Sequence, residues 1–176
     1  MSSQKIGLLV VDMQKGFLDE SHNDYVQKVQ DFLDQNHARY DVIVATRFFN
    51  PKKSLWRMLL NWEGCDEHSS DLLLRVSLPQ GSKDVDKSTY GISGAPQIQK
   101  WLKDVERVDV LGVDTDACVL LSCLELFDLQ IKPYVLSDLC VSTRGDYYHH
   151  MALEILRRNI GQEQVCSSYT VWQDKP

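Results

Sequence analysis

The segment Leu111-Gly112-Val113-Asp114-Thr115-Asp116-Ala117-Cys118-Val119 is the place where a predicted buried strand passes into a predicted helix. The apolar run from Val108 to Val113 is typical of a buried parallel strand. Cys118 lies at the junction, where free backbone N–H groups and the positive end of the helix dipole favour a thiolate. The pattern predicts a nucleophilic cysteine, although a small cysteine packed in the core explains it equally well.

The segment that follows Cys118 has the properties of a buried helix. Thr115 or Asp116 can cap its beginning. Residues 120–129 are apolar on almost every side. We therefore expect this helix to be buried all round.

Strand-like and helix-like segments alternate along the whole chain. The predicted strands are Ile6–Val11, Asp41–Thr46, a short strand around Val85, Val108–Val113, Ile131–Leu136 and Gln164–Cys166. Helical spacing of apolar residues marks segments 25–33, 95–103 and 146–158, the last with Tyr148, Met151, Ala152, Ile155 and Leu156 as its expected core face and Asp146 as its cap. This alternation predicts an α/β fold in which a parallel sheet is covered by helices on both faces.

Two polar residues fall directly after or at the end of predicted strands. Asp12 follows the first strand, and Lys87 ends the short strand around Val85. Ligands of parallel sheets bind beyond the carboxyl ends of the strands, where the strand order reverses. If the order is 3-2-1-4-5-6, an assumption that the pattern itself does not decide, Asp12 and Cys118 face each other across the crevice.

Composition restricts the classes of function. The chain has 176 residues, of which 43% are hydrophobic, and we expect one domain spanning residues 1–176. Its net charge of −6 and the lack of a long basic run argue against nucleic acid and membrane surfaces as partners and favour a small molecule. The start of the chain leads directly into a strand, so we expect no signal peptide and a cytoplasmic location. Five cysteines without disulfide-like spacing fit reduced thiols.

Asp12, Lys87 and Cys118 together suggest acyl transfer through a thioester. Asp12 can act as the base for the Cys118 thiol, and it can later return the proton to a departing amine. Lys87 balances the carboxylate, which would otherwise raise the thiol pKa. Backbone N–H groups of Asp114 and Cys118 are candidates for an oxyanion hole.

Three motifs in this order resemble the isochorismatase-like cysteine hydrolase family. They are Leu9-Val10-Val11-Asp12-Met13-Gln14, Asp86-Lys87-Ser88-Thr89-Tyr90 and Gly112-Val113-Asp114-Thr115-Asp116-Ala117-Cys118-Val119. The resemblance implies that Asp12, Lys87 and Cys118 form a catalytic triad. It also implies a three-layer α/β/α sandwich with a six-stranded Rossmann-like sheet of order 3-2-1-4-5-6, a cis peptide bond at Val113-Asp114 and an oligomer, a dimer or larger.

The sequence departs from the family at the expected metal site. Nicotinamidases and pyrazinamidases of the family follow the second strand with Asp-aromatic-His, whereas this chain has Phe48-Phe49-Asn50. We therefore expect no metal and no other cofactor. Phe17, Phe48, Phe49 and Trp56, together with Trp62, are the predicted apolar pocket.

The first hypothesis is a metal-independent cysteine hydrolase that cleaves a small amide or N-carbamoyl C–N bond. Three alternatives remain open: a vinyl-ether hydrolase of the isochorismatase kind, a non-catalytic paralogue that binds a small molecule, and a thiol-based redox protein. The intact Asp12, Lys87 and Cys118 set favours the hydrolase. A redox role would not depend on Asp12 or Lys87.

Overall fold

A six-stranded parallel sheet forms the centre of the protein. The computed structural model describes residues 4–172. The strands are β1 (Ile6–Val11), β2 (Val42–Phe48), β3 (Lys83–Lys87), β4 (Arg107–Val113), β5 (Lys132–Val141) and β6 (Val165–Cys166). Their order is β3-β2-β1-β4-β5-β6, and every neighbouring pair is parallel. The predicted fold class and the assumed strand order are confirmed.

Helices cover both faces of the sheet. They are α1 (Asn23–Asn36), α2 (Leu55–Leu60), α3 (Pro96–Leu102), α4 (Leu120–Asp128) and α5 (Asp146–Ile160), with a π-helical turn, Thr115–Val119, leading into α4. Alternate residues of β1 point to opposite faces, as strand geometry requires. Leu9 and Val11 pack in the core that contains buried residues of α3, α4 and α5, whereas Leu8 and Val10 pack in the core that contains those of α1. None of the helices described between residues 4 and 172 is long and apolar enough to cross a membrane.

The central pairing of β1 with β4 places the two functional ends side by side. Val11 is paired with Gly112, so Asp12 and the turn after Val113 leave the sheet at neighbouring points. The peptide bond between Val113 and Asp114 is cis, as the family resemblance implies. Strand order at this point reverses from β1-β2-β3 to β4-β5-β6, and such reversals open a crevice at the carboxyl edge of the sheet.

Two helices are less buried than their sequence pattern predicts. On α4, Leu121 is 38% exposed and Phe127 is 46% exposed, because the helix covers the sheet with one side only. On α5, the expected core residues Met151 and Ile155 are 43% and 42% exposed. An α-helix with apolar residues on more than one face does not itself determine which face meets the sheet. The buried residues of α5 are Ala152, Leu153, Leu156 and Ile160.

The N-cap residues in the structure also differ from those that the sequence predicts. Gly145, rather than Asp146, is the N-cap residue of α5. Asp114 occupies the cap position before the π-helical turn, and it makes no side-chain cap hydrogen bond there. Thr115 instead has its hydroxyl 2.8 Å from Nδ1 of His149 on α5, so it ties the turn to a neighbouring helix.

Gly112 is required by the close approach of β1. It has a φ of +127°, and a Cβ atom at this position would collide with the carbonyl oxygen of Val11. We expect Gly112→Ala to lower the free energy of unfolding by more than about 3 kcal/mol, because backbone strain and a backbone clash add together. Urea unfolding followed by circular dichroism measures this change.

Gly145→Ala is the matched control. Gly145 also has a positive φ, +99°, but a Cβ there meets nothing within 4 Å. We expect a smaller loss of about 1–3 kcal/mol, because the positive-φ extended conformation of Gly145 is one that essentially only glycine adopts. Equal losses in the two variants would contradict the role given to the contact with Val11.

Candidate active site

A buried ion pair joins the carboxyl ends of β1 and β3. Nζ of Lys87 lies 2.7 Å from Oδ2 of Asp12, and both side chains are completely shielded from solvent. Since β2 separates these strands, the lysine side chain must cross over the end of β2, where its Nζ lies 5.6 Å from the centre of the Phe48 ring. The predicted association of Asp12 with Lys87 is therefore present in the structure.

Each group of the pair is held by further hydrogen bonds. Thr46 on β2 donates from its hydroxyl to Oδ1 of Asp12 at 2.6 Å. Lys87 donates to the carbonyl oxygens of Thr89 and Tyr90 at 3.0 and 3.1 Å. An ammonium group has three donors, and here all three are used. These contacts fix the carboxylate and the ammonium in one geometry.

The ammonium group of Lys87 is expected to stay charged. Burial on its own lowers the pKa of Lys87, but the Asp12 carboxylate outweighs this effect, and the pKa lies above its usual value. The positive charge beside the thiol is therefore present throughout the physiological pH range.

Cys118 lies in the π-helical turn and is 6% exposed. Burial and then the Asp12 carboxylate raise the pKa of its thiol well above the ordinary value, and Lys87 opposes them only in part. This shift is opposite to the one expected from the helix end alone. A thiol that acts as a nucleophile must lose its proton during attack, and Asp12 is the carboxylate placed to accept it.

The backbone around Cys118 is tightly wound. The carbonyl oxygen of Asp114 accepts hydrogen bonds from the N–H groups of both Ala117 and Val119, each at 3.1 Å. This double contact defines the turn that places the thiol above the sheet. The role of the Asp114 and Cys118 N–H groups as an oxyanion hole stays a prediction.

The side chain of Asp114 turns toward the loop after β5. Its two oxygens accept hydrogen bonds from the backbone N–H and the hydroxyl of Thr143, at 2.7 and 3.0 Å. Burial raises the pKa of Asp114, and the hydrogen bonds from Thr143 oppose the shift. Asp114 thus ties two loops together at the rim of a cavity that Asp116 and Arg144 also line.

This cavity has a volume of about 660 Å³, and Cys118 lies in its wall. Much of the wall is aromatic. The ring of Phe17 stacks on Trp62 with centroids 5.6 Å apart, and Phe48 meets Trp56 edge to face at 4.8 Å. Tyr90 extends the wall through an edge contact with Trp56 at 5.3 Å. The volume and lining are those of a site for a small organic molecule.

Four of the five predicted pocket residues line this cavity: Phe17, Phe48, Trp56 and Trp62. Phe49 does not, because successive side chains of an extended segment point in opposite directions and Phe48 faces the cavity. The sequence analysis missed Arg144. It ended the fifth strand at Leu136, whereas β5 continues to Val141 and carries the following loop to the carboxyl edge of the sheet.

The isochorismatase domain model matches residues 7–168. The chain belongs to the isochorismatase family. A comparison with curated protein sequences found no match.

Solved members of related sequence share the whole fold. An isochorismatase-like hydrolase from Alkaliphilus metalliredigens has a TM-score of 0.83 at 17% identity and covers 96% of this chain and 98% of its own. A cysteine hydrolase from Pseudomonas syringae has a TM-score of 0.79 at 20% identity. The match covers 95% of this chain and 90% of the Pseudomonas chain. The pyrazinamidase of Pyrococcus horikoshii, solved in complex with zinc, has a TM-score of 0.79 at 22% identity. The match covers 89% of this chain and 96% of the pyrazinamidase chain. At these identities the likeness extends to the fold alone.

The residues at the position of the family's metal site do not fit a metal ion here. Asn50 is fully buried, and its amide nitrogen donates to the carbonyl oxygens of Trp62 and Gly64. Its amide oxygen accepts a 2.5 Å hydrogen bond from Ser54. These hydrogen bonds of Asn50 hold together the segments that precede and follow α2. Within residues 4–172, no three His, Cys, Asp or Glu side chains are grouped closely enough to hold a metal ion.

The electrostatics of the site predict opposite effects for two substitutions. Asp12→Asn removes the negative charge that raises the pKa of Cys118, so alkylation of Cys118 by iodoacetamide should begin at a lower pH. Lys87→Met removes the opposing positive charge, so alkylation should begin at a higher pH than in the unmodified protein. Peptide mapping by mass spectrometry separates Cys118 from the other four cysteines.

Both substitutions break the same buried ion pair, at a cost of about 3–5 kcal/mol each. General loosening of the structure would therefore move both alkylation profiles in the same direction. Shifts of the same sign would contradict the electrostatic account.

Proposed function

We propose that the protein is a metal-independent cysteine hydrolase that cleaves a C–N bond of a small amide or N-carbamoyl compound through a thioester. The observation that carries the proposal is the fully buried Asp12–Lys87 pair close to Cys118, which lies in the wall of an aromatic cavity. The proposed machinery consists of protein side chains and backbone groups, and Asn50 at the family's metal position is already engaged in hydrogen bonds.

In the first step the thiol attacks the carbonyl carbon of the substrate. A bond forms between Sγ of Cys118 and that carbon, and the thiol proton passes to the Asp12 carboxylate. Lys87 stays protonated and keeps the carboxylate in place. The negative charge on the carbonyl oxygen is stabilised by the backbone N–H groups of Asp114 and Cys118.

In the second step the C–N bond breaks. Asp12 returns the proton to the nitrogen, which leaves as ammonia or an amine, and the acyl group remains on Cys118 as a thioester. Water then attacks the thioester carbon, with Asp12 as the base. The S–C bond breaks, the acid is released, and the proton returns to the thiol.

A thiol with a raised pKa next to a carboxylate favours amide cleavage over a redox role. Amide hydrolysis requires both a nucleophile and a proton for the departing nitrogen, and the neutral thiol with Asp12 provides one transferable proton for each cycle. A peroxide-reactive cysteine requires a thiolate at neutral pH. The raised pKa of Cys118 does not favour that chemistry.

Ammonia release from a panel of small primary amides and N-carbamoyl compounds tests the proposal. We expect turnover that falls by at least about 10³-fold in Cys118→Ala, because the nucleophile is lost. Hydroxylamine should intercept the acyl group as a hydroxamate, which is the product expected from a thioester. Cys166→Ala is the control, since Cys166 is a partly buried thiol on β6 outside the cavity lining.

Unchanged ammonia release in Cys118→Ala would overturn the assignment of the nucleophile. No release by the unmodified protein from any member of the panel would argue for a vinyl-ether hydrolase or a binding protein instead.

A further inference from the structure

A second groove, with a volume of about 560 Å³, adjoins the catalytic cavity. Its apolar lining residues are Leu55, Trp56, Leu59, Leu60, Tyr90 and Leu121. Four of these residues, Trp56, Leu60, Tyr90 and Leu121, line the catalytic cavity as well. The groove is therefore the space next to Cys118 into which a longer substrate would extend.

Several leucine side chains are exposed along the groove. Leu59 is 71% exposed, Leu55 is 61% exposed and Leu60 is 55% exposed, all on the single short helix α2. Leu121 faces them from α4 and is 38% exposed. Contiguous apolar patches of this kind mark sites where an apolar partner is bound.

The polar groups of the groove are already satisfied by one another. Glu125 accepts hydrogen bonds from the backbone N–H and the hydroxyl of Ser93, both at 2.8 Å. The hydroxyl of Thr89 donates to the carbonyl oxygen of Gly91 at 2.8 Å. A polar ligand would have to replace these contacts, whereas an apolar ligand leaves them in place.

We infer that the groove binds an apolar chain of the substrate, attached to the carbonyl carbon that Cys118 attacks. The inference rests on the proposed hydrolase function and narrows its substrate class to amides of medium-chain carboxylic acids. The inference assigns the chain to the acyl side, since only there would contacts in the groove act in both steps. Contacts in the groove can then stabilise the attack on the amide and the hydrolysis of the thioester.

The first expected result is that kcat/KM depends on the length of the substrate's alkyl chain. Across acetamide, butanamide, hexanamide and octanamide, kcat/KM for ammonia release should rise by about fourfold per methylene group buried in the groove. A flat profile would overturn the inference while leaving the hydrolase function intact.

Leu59→Gln tests the groove itself, because Leu59 lines the groove but not the catalytic cavity. We expect about a tenfold loss of kcat/KM for octanamide and no change for acetamide. Met58→Gln is the matched control, since Met58 is 61% exposed on the same helix and lines neither space. Equal effects of the two substitutions would overturn the inference.

Binding to an inactive protein separates failure of the groove from failure of the proposed reaction. In calorimetry, octanamide should bind Cys118→Ala about tenfold more weakly after Leu59→Gln and without change after Met58→Gln. Such a result supports the groove even if no amide is hydrolysed. Absence of any effect of Leu59→Gln on binding would overturn it.

A second copy of the chain is the competing occupant. If the groove were a subunit interface, Leu59→Gln would reduce the oligomeric state in sedimentation velocity and Met58→Gln would not. That outcome would overturn the assignment of the groove to the substrate.

Discussion

Asp12 and Lys87 place two opposite charges where solvent reaches neither of them. Removing both from water costs several kcal/mol per ion, and the cost is offset only when the geometry is good and the remaining donors and acceptors are satisfied. Thr46 and the carbonyl oxygens of Thr89 and Tyr90 meet this requirement. The ion pair thus couples β1, β2 and β3 at one edge of the sheet.

The same pair decides the chemical state of the neighbouring thiol. Burial and the Asp12 carboxylate raise the pKa of Cys118, while Lys87 opposes them in part. In the proposed reaction the thiol proton moves from sulfur to Asp12 and then to the departing nitrogen, and it is replaced by one from water.

Other parts of the chain form the proposed substrate site. The aromatic wall comes from the loop after β1, the end of β2 and the segment around α2, and the groove comes from α2 and α4. Asn50 fills the position of the family's metal site and secures the loops around α2 through buried hydrogen bonds.

The sequence by itself determined the alternation of strands and helices, the strand ends that carry Asp12 and Lys87, and the turn that carries Cys118, because apolar periodicity and local backbone chemistry encode these features. Tertiary structure alone decided which face of α5 is buried, since that helix has apolar residues on several sides. It also decided the thiol state, because burial and the balance of Asp12 against Lys87 depend on groups more than 30 residues apart in the chain. The groove beside α2 likewise exists only because α2 and α4 meet in space.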